Sequence, residues 1–261
     1  MTRHERWNTL LELLADAGRL SVEEAAARTA VSPATIRRDF DALAEQQMLT
    51  RTRGGAVAQS VSYDLPLRYK NARHGTERQR LAAAVAELVR PGSIVGLNGG
   101  TTTSEVARAL VTRADPHAEG GAPGITIVTN ALNIGSELAV RPQVRIVLTG
   151  GVPRPQSYEL TGPLATGIFD HITLDVAVLG VNGIAVEYGA TCHDEGEADV
   201  NRRMADRADR IVVVAGGAKV GRRAFATICD TDRIDVLVTG GPAPEDELAA
   251  FAEAGVRIVR A

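Results

Sequence analysis

Between Ser32 and Val57 the chain reads SPATIRRDFDALAEQQMLTRTRGGAV, and few folds accommodate such a run. Ser32 is placed to accept from the free N–H groups at a helix start, and Pro33 suits the first helical position. Ile36, Phe40 and Leu43 recur at i, i+4 and i+7 and form one apolar stripe. With that stripe facing a core, Arg38 points away from it, with Thr35 and Arg37 on the two flanks. After the helix, Arg51 and Arg53 alternate with Thr50 and Thr52, and Gly54-Gly55 offers a tight turn. Period two predicts a hairpin with both arginines on one face, where they would straddle a phosphate strand.

The preceding residues fit the same motif. Trp7, Leu10, Leu11 and Leu14 share one helical face, and Gly18 is a stop signal. Ser21-Val22-Glu23-Glu24 has the form of a capping box for a second helix of small residues. Helix, small-residue helix, short turn, polar helix and hairpin is the order of a winged helix-turn-helix, whose third helix enters the DNA major groove. The predicted DNA-binding residues are Ser32, Thr35, Arg37, Arg38, Arg51 and Arg53. A pair of arginines alone is more often a solvated face; the capped helices, spacing and wing together carry the assignment.

TIRRDFDALAEQQMLTRTRGGA closely resembles the signature of the DeoR family of bacterial transcription regulators, with Phe40 where the family has Leu and Arg53 where it has His. The resemblance implies a repressor whose DNA affinity is set by a small phosphorylated metabolite.

Length and charge bound the alternatives. A chain of 261 residues accommodates one large or two modest domains. Residues 1–60 hold eight Arg against eight Asp plus Glu, so DNA binding rests on local clustering of arginine and not on a bulk positive field. So little positive charge in one small domain also points to at least a dimer, a homodimer or homotetramer. Cys192 and Cys229 lie far apart in sequence and match neither a zinc site nor a disulfide framework. The N-terminus lacks the pattern of a signal peptide, and no apolar run approaches membrane-spanning length. A cytoplasmic protein without membrane contact is expected.

Residues 58–75 lack periodicity and read as a linker between a DNA-binding domain at 1–57 and a second domain at 76–261. From Thr76 the pattern alternates helix with short apolar strands, among them ITIVT, VRIVLT, LDVAVLG, RIVVVA, IDVLVT and VRIV. That alternation implies a mainly parallel sheet covered on both faces. The fold class is thus α+β in two domains: a winged helix-turn-helix, then an α/β domain.

Within the second domain, LNGGTTTSEVA at 97–107 follows a strand and opens a helix. Glycines there admit a ligand close to the backbone, and a helix N-terminus favours an anion. From spacing alone this is equally a capped strand–helix turn. It is neither a Walker A loop nor GxGxxG, and no cofactor, metal or catalytic residue is expected. VGLNGGTTTSEVA is similar to the family's "D-x-G-T-T" block. VTNALNI, VLTGGVPR, YELTGPLA, LGVNGI, GATCHDEGEADVNRRM and VAGGAKVGRRAF are similar to its later blocks, in order. The resemblance implies the fold of ribose-5-phosphate isomerase and the CoA transferases, a phosphorylated effector such as a sugar phosphate, and operator DNA as partner. It implies that Thr101, Thr102 and Thr103 hold the phosphate, in an effector-binding loop that includes Asn98, Gly99 and Gly100, with Asn130, Gly150, Gly151, Glu195 and Lys219 lining the same pocket. Read without the family, Lys219 is a solvated lysine and Glu195 an acidic first-turn residue. Asn98, Gly216 and Gly240 stand where the family usually has Asp. The alternative is a sugar-phosphate isomerase or CoA-transferase-like enzyme with a DNA-binding appendage; isomerisation needs a carboxylate base, and these departures remove acids from the pocket.

Overall fold

The computed structural model describes residues 1–45, 48–57, 75–114 and 124–261, apart from the side chains at positions 4, 8, 12, 15 and 16. The expected linker therefore lies outside the described residues, except for its last residue. The chain divides into two compact units, Met1–Arg73 and His74–Ala261.

The first unit holds α1 (Arg3–Ala17), β1 (Arg19–Ser21), α2 (Val22–Thr29), α3 (Pro33–Glu45), β2 (Thr50–Thr52) and β3 (Gly55–Val57). Each helix starts where the sequence supplies a cap. Thr2 and Glu5 form a reciprocal capping box on α1, and Ser21 Oγ accepts from the Glu24 N–H at the start of α2. The return bond from Glu24 that a full capping box needs is not formed among the described residues, so only half of the predicted box is present. Gly18, at φ 70°, ends α1 in the left-handed conformation that glycine tolerates best.

Ile36, Phe40 and Leu43 are completely buried and pack against Leu10, Leu11, Leu14 and Leu20. Truncating one such leucine to alanine typically costs about 2–5 kcal/mol. The hairpin β2–β3 is extended by β1 into a three-stranded antiparallel sheet in the order β1-β3-β2. A three-residue RLS segment carries no legible period, which is why β1 escaped the sequence. It also changes the role of the glycines. Neither Gly54 nor Gly55 has a positive φ. A Cβ on Gly55 would instead lie 2.1 Å from the Leu20 carbonyl oxygen, so Gly55 is set by the close approach of β1 and not by the turn.

The second unit is built on a seven-stranded, wholly parallel sheet. Its strands are β4 (Ile94–Leu97), β5 (Ile125–Thr129), β6 (Val144–Leu148), β9 (Val176–Gly180), β12 (Ile211–Gly216), β14 (Val236–Gly240) and β15 (Arg257–Arg260), in the order β15-β14-β12-β9-β4-β5-β6. Alternate residues of one strand enter opposite cores. Val176 and Val178 of β9 pack on one side with α4 (Gly75–Leu88) and α5 (Thr101–Arg113). Ala177 and Leu179 pack on the other with Phe169, Met204 and Phe251. Burial on both faces explains why these strands read as continuous apolar runs and not as alternation.

Three parts of this unit were not anticipated. A hairpin joins β7 (Val152–Pro153) to β8 (Leu160–Thr161) after α6 (Leu132–Leu138) and β6. A short helix, α7 (Pro163–Thr166), follows it. A small antiparallel sheet pairs β10 (Gly183–Ala185), β11 (Gly189–Cys192) and β13 (Ala226–Cys229). Helices α8 (Glu195–Asp206) and α9 (Glu245–Glu253) cover the face of the sheet that carries Ala177 and Leu179.

The order of the large sheet places its functional end. From β4 the chain proceeds outward through β5 and β6, then returns to lay β9 on the other side of β4 and continues outward through β12, β14 and β15. The switch point lies between β4 and β9, and the crevice at the carboxyl ends of such strands is where open α/β sheets bind ligands. Asn98 and Gly99 stand at that end of β4, Val181 and Asn182 at that end of β9.

Candidate functional site

In the first unit, α3 sorts its residues by face. Arg37 and Arg38 are exposed, while the neighbouring Asp39 is buried. No hydrogen bond or ion pair engages Arg37, Arg38 or Arg53 among the described residues. Ser32 caps the helix as expected: the Thr35 N–H donates to Ser32 Oγ at 3.2 Å, and the two hydroxyls lie 2.9 Å apart. Asp39, which the sequence did not single out, fastens α3 to α1. Its carboxylate accepts from the Trp7 indole at 2.8 Å and from the Arg6 guanidinium. A buried carboxylate that accepts from the guanidinium on both oxygens and from the indole on one fixes the pitch of the helix that carries the two arginines. The signal was present in the heptad-like spacing of TIRRDF, where Asp39 falls on the buried side between Ile36 and Phe40.

The expectation for the wing is only partly met. Arg53 is exposed in the β2–β3 turn. Arg51 is half-buried: its Nε donates to Asp41 at 2.7 Å, its Nη1 to the Gly55 carbonyl at 2.6 Å, and the guanidinium lies 5.6 Å from the centre of the Phe40 ring. The two arginines are therefore not a matched pair. Arg51 ties the hairpin to α3, because α3 supplies an acid opposite it.

In the second unit the glycine–threonine loop opens α5 at the switch point. Gly100, at φ 140°, takes the N-terminal cap, and its carbonyl accepts from Thr103 Oγ1 and Ser104 Oγ. Thr103 is fully buried, whereas Thr101 and Thr102 are partly exposed. The hydroxyls that can reach a ligand are thus those of Thr101 and Thr102. Asn98 is buried and occupied on both sides of its amide: Nδ2 donates to the Gly180 carbonyl at 2.9 Å, and Oδ1 accepts the Gly180 N–H at 2.7 Å. It clamps β4 to β9 across the switch point. An ionised Asp has no donor for the carbonyl, so this departure from the family residue is a change of scaffold chemistry.

The remaining predicted residues gather unevenly. Asn130 is fully buried at the end of β5. Gly150 (φ 84°) and Gly151 (φ 109°) turn the chain from β6 into the hairpin, and a Cβ on Gly151 would stand 2.6 Å from the Thr161 carbonyl oxygen. Lys219 lies in a 3-10 turn after β12, and its ammonium donates to the Val181 carbonyl at the end of β9. Glu195 is exposed in the first turn of α8. Buried Glu197 occupies the inward position instead, and Arg154 bridges it (2.9 Å) and Asp194 (3.0 Å), fastening the hairpin to the start of α8. Glu159 was also missed. Its carboxylate is buried, accepts from Asn130 and Asn201, and lies against Gly99. At Gly216 and Gly241 the carboxylate of Glu77, from the first turn of α4, fills the space a side chain would take. An acid thus returns near two of the three places where the family's Asp is lost.

Cys192 and Cys229 are buried, unpaired thiols, and burial pushes both up to about 12, so neither is a thiolate at neutral pH. Among the described residues no group of three His, Cys, Asp or Glu is arranged to hold a metal ion, and no helix is long and apolar enough to cross a membrane.

A capped helix that presents two arginines, in a chain whose other unit is a parallel α/β sheet with an anion-suited loop at its switch point, defines a DNA-binding regulator with a small-molecule sensor. The family models and the sequence relatives point to the same class. The DeoR-like helix-turn-helix domain matches residues 6–61, and the DeoR C terminal sensor domain matches residues 73–241. A putative aga operon transcriptional repressor of Escherichia coli O157:H7 is 33% identical over 258 residues, covering 98% of this chain and 93% of that one. The glycerol-3-phosphate regulon repressor of Escherichia coli K12 is 32% identical over 244 residues, covering 94% and 93%. Among solved structures, ribose 5-phosphate isomerase A of Methanocaldococcus jannaschii is similar over 54% of this chain and 52% of its own, at 16% identity and a TM-score of 0.37. The chain belongs to the DeoR family. It is a sequence-specific DNA-binding transcriptional regulator and not an enzyme.

Proposed function

We propose that this protein is a cytoplasmic repressor of a carbohydrate or related metabolic operon. It binds double-stranded operator DNA as a homodimer or homotetramer, and a phosphorylated small molecule in the second domain sets its affinity for that DNA. Arg37 and Arg38 read base edges, and Arg53, with the Ser32–Thr35 cap, meets the phosphate backbone. Arg51 acts mainly by holding the wing in place. Gly99, Gly100, Thr101 and Thr102 receive the phosphate, Thr103 and Asn98 shape that loop, and Lys219 adds a positive charge beside it. The observation that carries this reading is the placement of the glycine–threonine loop at the switch point, where backbone N–H groups and the helix dipole favour an anion.

Thermal unfolding of the protein against phosphorylated sugars, glycolytic intermediates and inorganic phosphate tests it. A ligand at 100 times its Kd adds about 2.7 kcal/mol of stability to the state it binds. A phosphate-dependent upward shift supports the assignment, and indifference to every phosphorylated compound refutes it.

A further inference from the structure

The large sheet ends in two strands of different character. At one edge, β15 reads RIVR, with Arg257 and Arg260 exposed. At the other, β6 reads VRIVL; Leu148 is exposed, and Ile146 and Val147 are only half-buried. Among the described residues no strand pairs with the outer side of β6. An open edge invites another strand, and proteins usually blunt it with charge, proline or a bulge. β15 is blunted in that way. Pairing it with a copy of itself, antiparallel and in full register, sets Arg257 against the partner's Arg260, and like charges opposite one another destabilise a ladder. β6 has no such guard. Pairing it with itself about Ile146 sets Val144 against Leu148 and Arg145 against Val147, so no arginine directly faces another.

Exposed apolar residues gather at the same edge. Among the described residues of the second unit, the exposed large apolar side chains other than Phe225 are Leu132, Val140, Leu148, Val152 and Leu164, from 38% to 79% exposed. Because α6 crosses back between the parallel strands β5 and β6, Leu132 lies toward the carboxyl end of β6 and Val140 toward its amino end. Leu148 covers Gly135 of α6, where a Cβ would stand 3.0 Å from its Cδ1. The Leu164 carbonyl oxygen would stand 3.4 Å from a Cβ on Gly150, two residues before Val152. Four of the five thus surround the carboxyl end of β6, and Val140 stands at the other end. A contiguous exposed apolar patch marks an interaction surface.

We propose that a second copy of this chain docks on the β6 edge. Two β6 strands pair antiparallel about a twofold axis at Ile146 and join the two large sheets into one. The twofold sets the amino end of each strand against the carboxyl end of the other, so each Val140 approaches the partner's Leu148, Val152 and Leu164. A strand edge alone is smaller than the about 800 Å² that each partner of a stable dimer contributes, so these flanking residues belong to the interface too. The match of the strand to itself, without opposed charges, favours a second copy over an unrelated partner. This inference rests on the homo-oligomer reading given above and names the surface that forms it.

Oxidative cross-linking tests it on the full chain, because Cys192 and Cys229 are buried and leave an introduced thiol as the reactive one. Residues opposed across an antiparallel ladder lie about 4.5–5.5 Å apart at Cα, within reach of a disulfide. Treated with diamide, Ile146→Cys should run mostly as a covalent dimer on a non-reducing gel, while Val259→Cys, on the other edge, should not. Arg145→Cys combined with Val147→Cys, opposed in the same register, replaces the first variant should it fold poorly. In sedimentation equilibrium, Val152→Glu with Leu164→Glu should raise the dimer dissociation constant about ten-fold or more; both side chains are exposed, so the fold should tolerate the change. A wild type that self-associates while the β6 cysteines cross-link no better than Val259→Cys overturns the proposal and leaves the homo-oligomer reading standing. So does a double-glutamate variant with the wild-type dissociation constant. A wild type that stays monomeric with and without operator DNA removes both.

Discussion

The two units use charge in opposite ways. In the winged helix the groups assigned to the partner, Arg37, Arg38 and Arg53, stand in solvent with no partner among the described residues. In the sensor unit many polar groups are buried or half-buried and joined to one another: Asn98 to Gly180, Asn130 to Glu159 and Asn201, Arg154 to Asp194 and Glu197. The partners explain the contrast. DNA is a large polyanion that brings its own field and is met on a convex surface, so readers must project. A small ligand must be enclosed, and a preorganised cavity needs its polar lining held in place before the ligand arrives. One motif therefore mixes two kinds of residue in each unit, and burial with pairing separates them.

The sharpest way to break this distinction is to change adjacent residues of α3. Arg38→Ala should leave the fold intact while removing specific operator binding. A bidentate base contact is worth about 1–3 kcal/mol, and a dimer loses it in both half-sites. Wild-type affinity in a footprinting or gel-shift titration would mean that the reading face is misassigned. Asp39→Ala should do the reverse in kind. It leaves the Trp7 indole and Arg6 without their acceptor, and thermal unfolding should show a loss of about 1–3 kcal/mol. An unchanged melting temperature would show that Asp39 does not fasten α3 to α1.

The wing offers a subtler contrast. Arg53→Ala should weaken binding to all DNA sequences alike and flatten the salt dependence by roughly 0.9 per contact per subunit. Arg51→Ala should change the slope less and the stability more, because its guanidinium already serves Asp41 and the Gly55 carbonyl. Equal slope changes in the two variants would restore the matched pair that period two suggests. In the sensor, Thr102→Val should weaken a phosphorylated ligand by about 0.5–1.5 kcal/mol with little change in stability. Thr103→Val should lower stability, since its hydroxyl holds the Gly100 carbonyl. Calorimetry beside thermal unfolding of both variants distinguishes them, and reversed effects would contradict the division of labour within the loop.

The sequence shows the parts of this molecule that depend on periodicity and end signals. The Ile36/Phe40/Leu43 stripe, the Ser32 cap and the continuous apolar strands are local patterns, and the structure places each as read. What stayed hidden depends on contacts across long separations. Asp39 meets Arg6 and Trp7 more than thirty positions away, Asn98 meets Gly180 at a separation of 82, and Glu159 meets Asn201 at 42. No local period marks such partners. Glu195 illustrates the limit on the helix: two positions decide which carboxylate of CHDEGEAD turns inward, and it is Glu197 that is buried. Gly55 illustrates it on the strand, where a turn signal was in fact a site of close backbone approach by β1.

The central claim is that a phosphorylated ligand in the sensor and operator DNA on the winged helix report to each other. Titrating the ligand that stabilises the protein into full-length regulator, with and without saturating operator, measures that coupling directly. Linkage requires the ligand to change operator affinity by the same factor by which operator changes ligand affinity, typically about 5- to 150-fold. The account predicts a shift of that size in ligand affinity when operator is bound. Identical ligand affinity in the two titrations would contradict it.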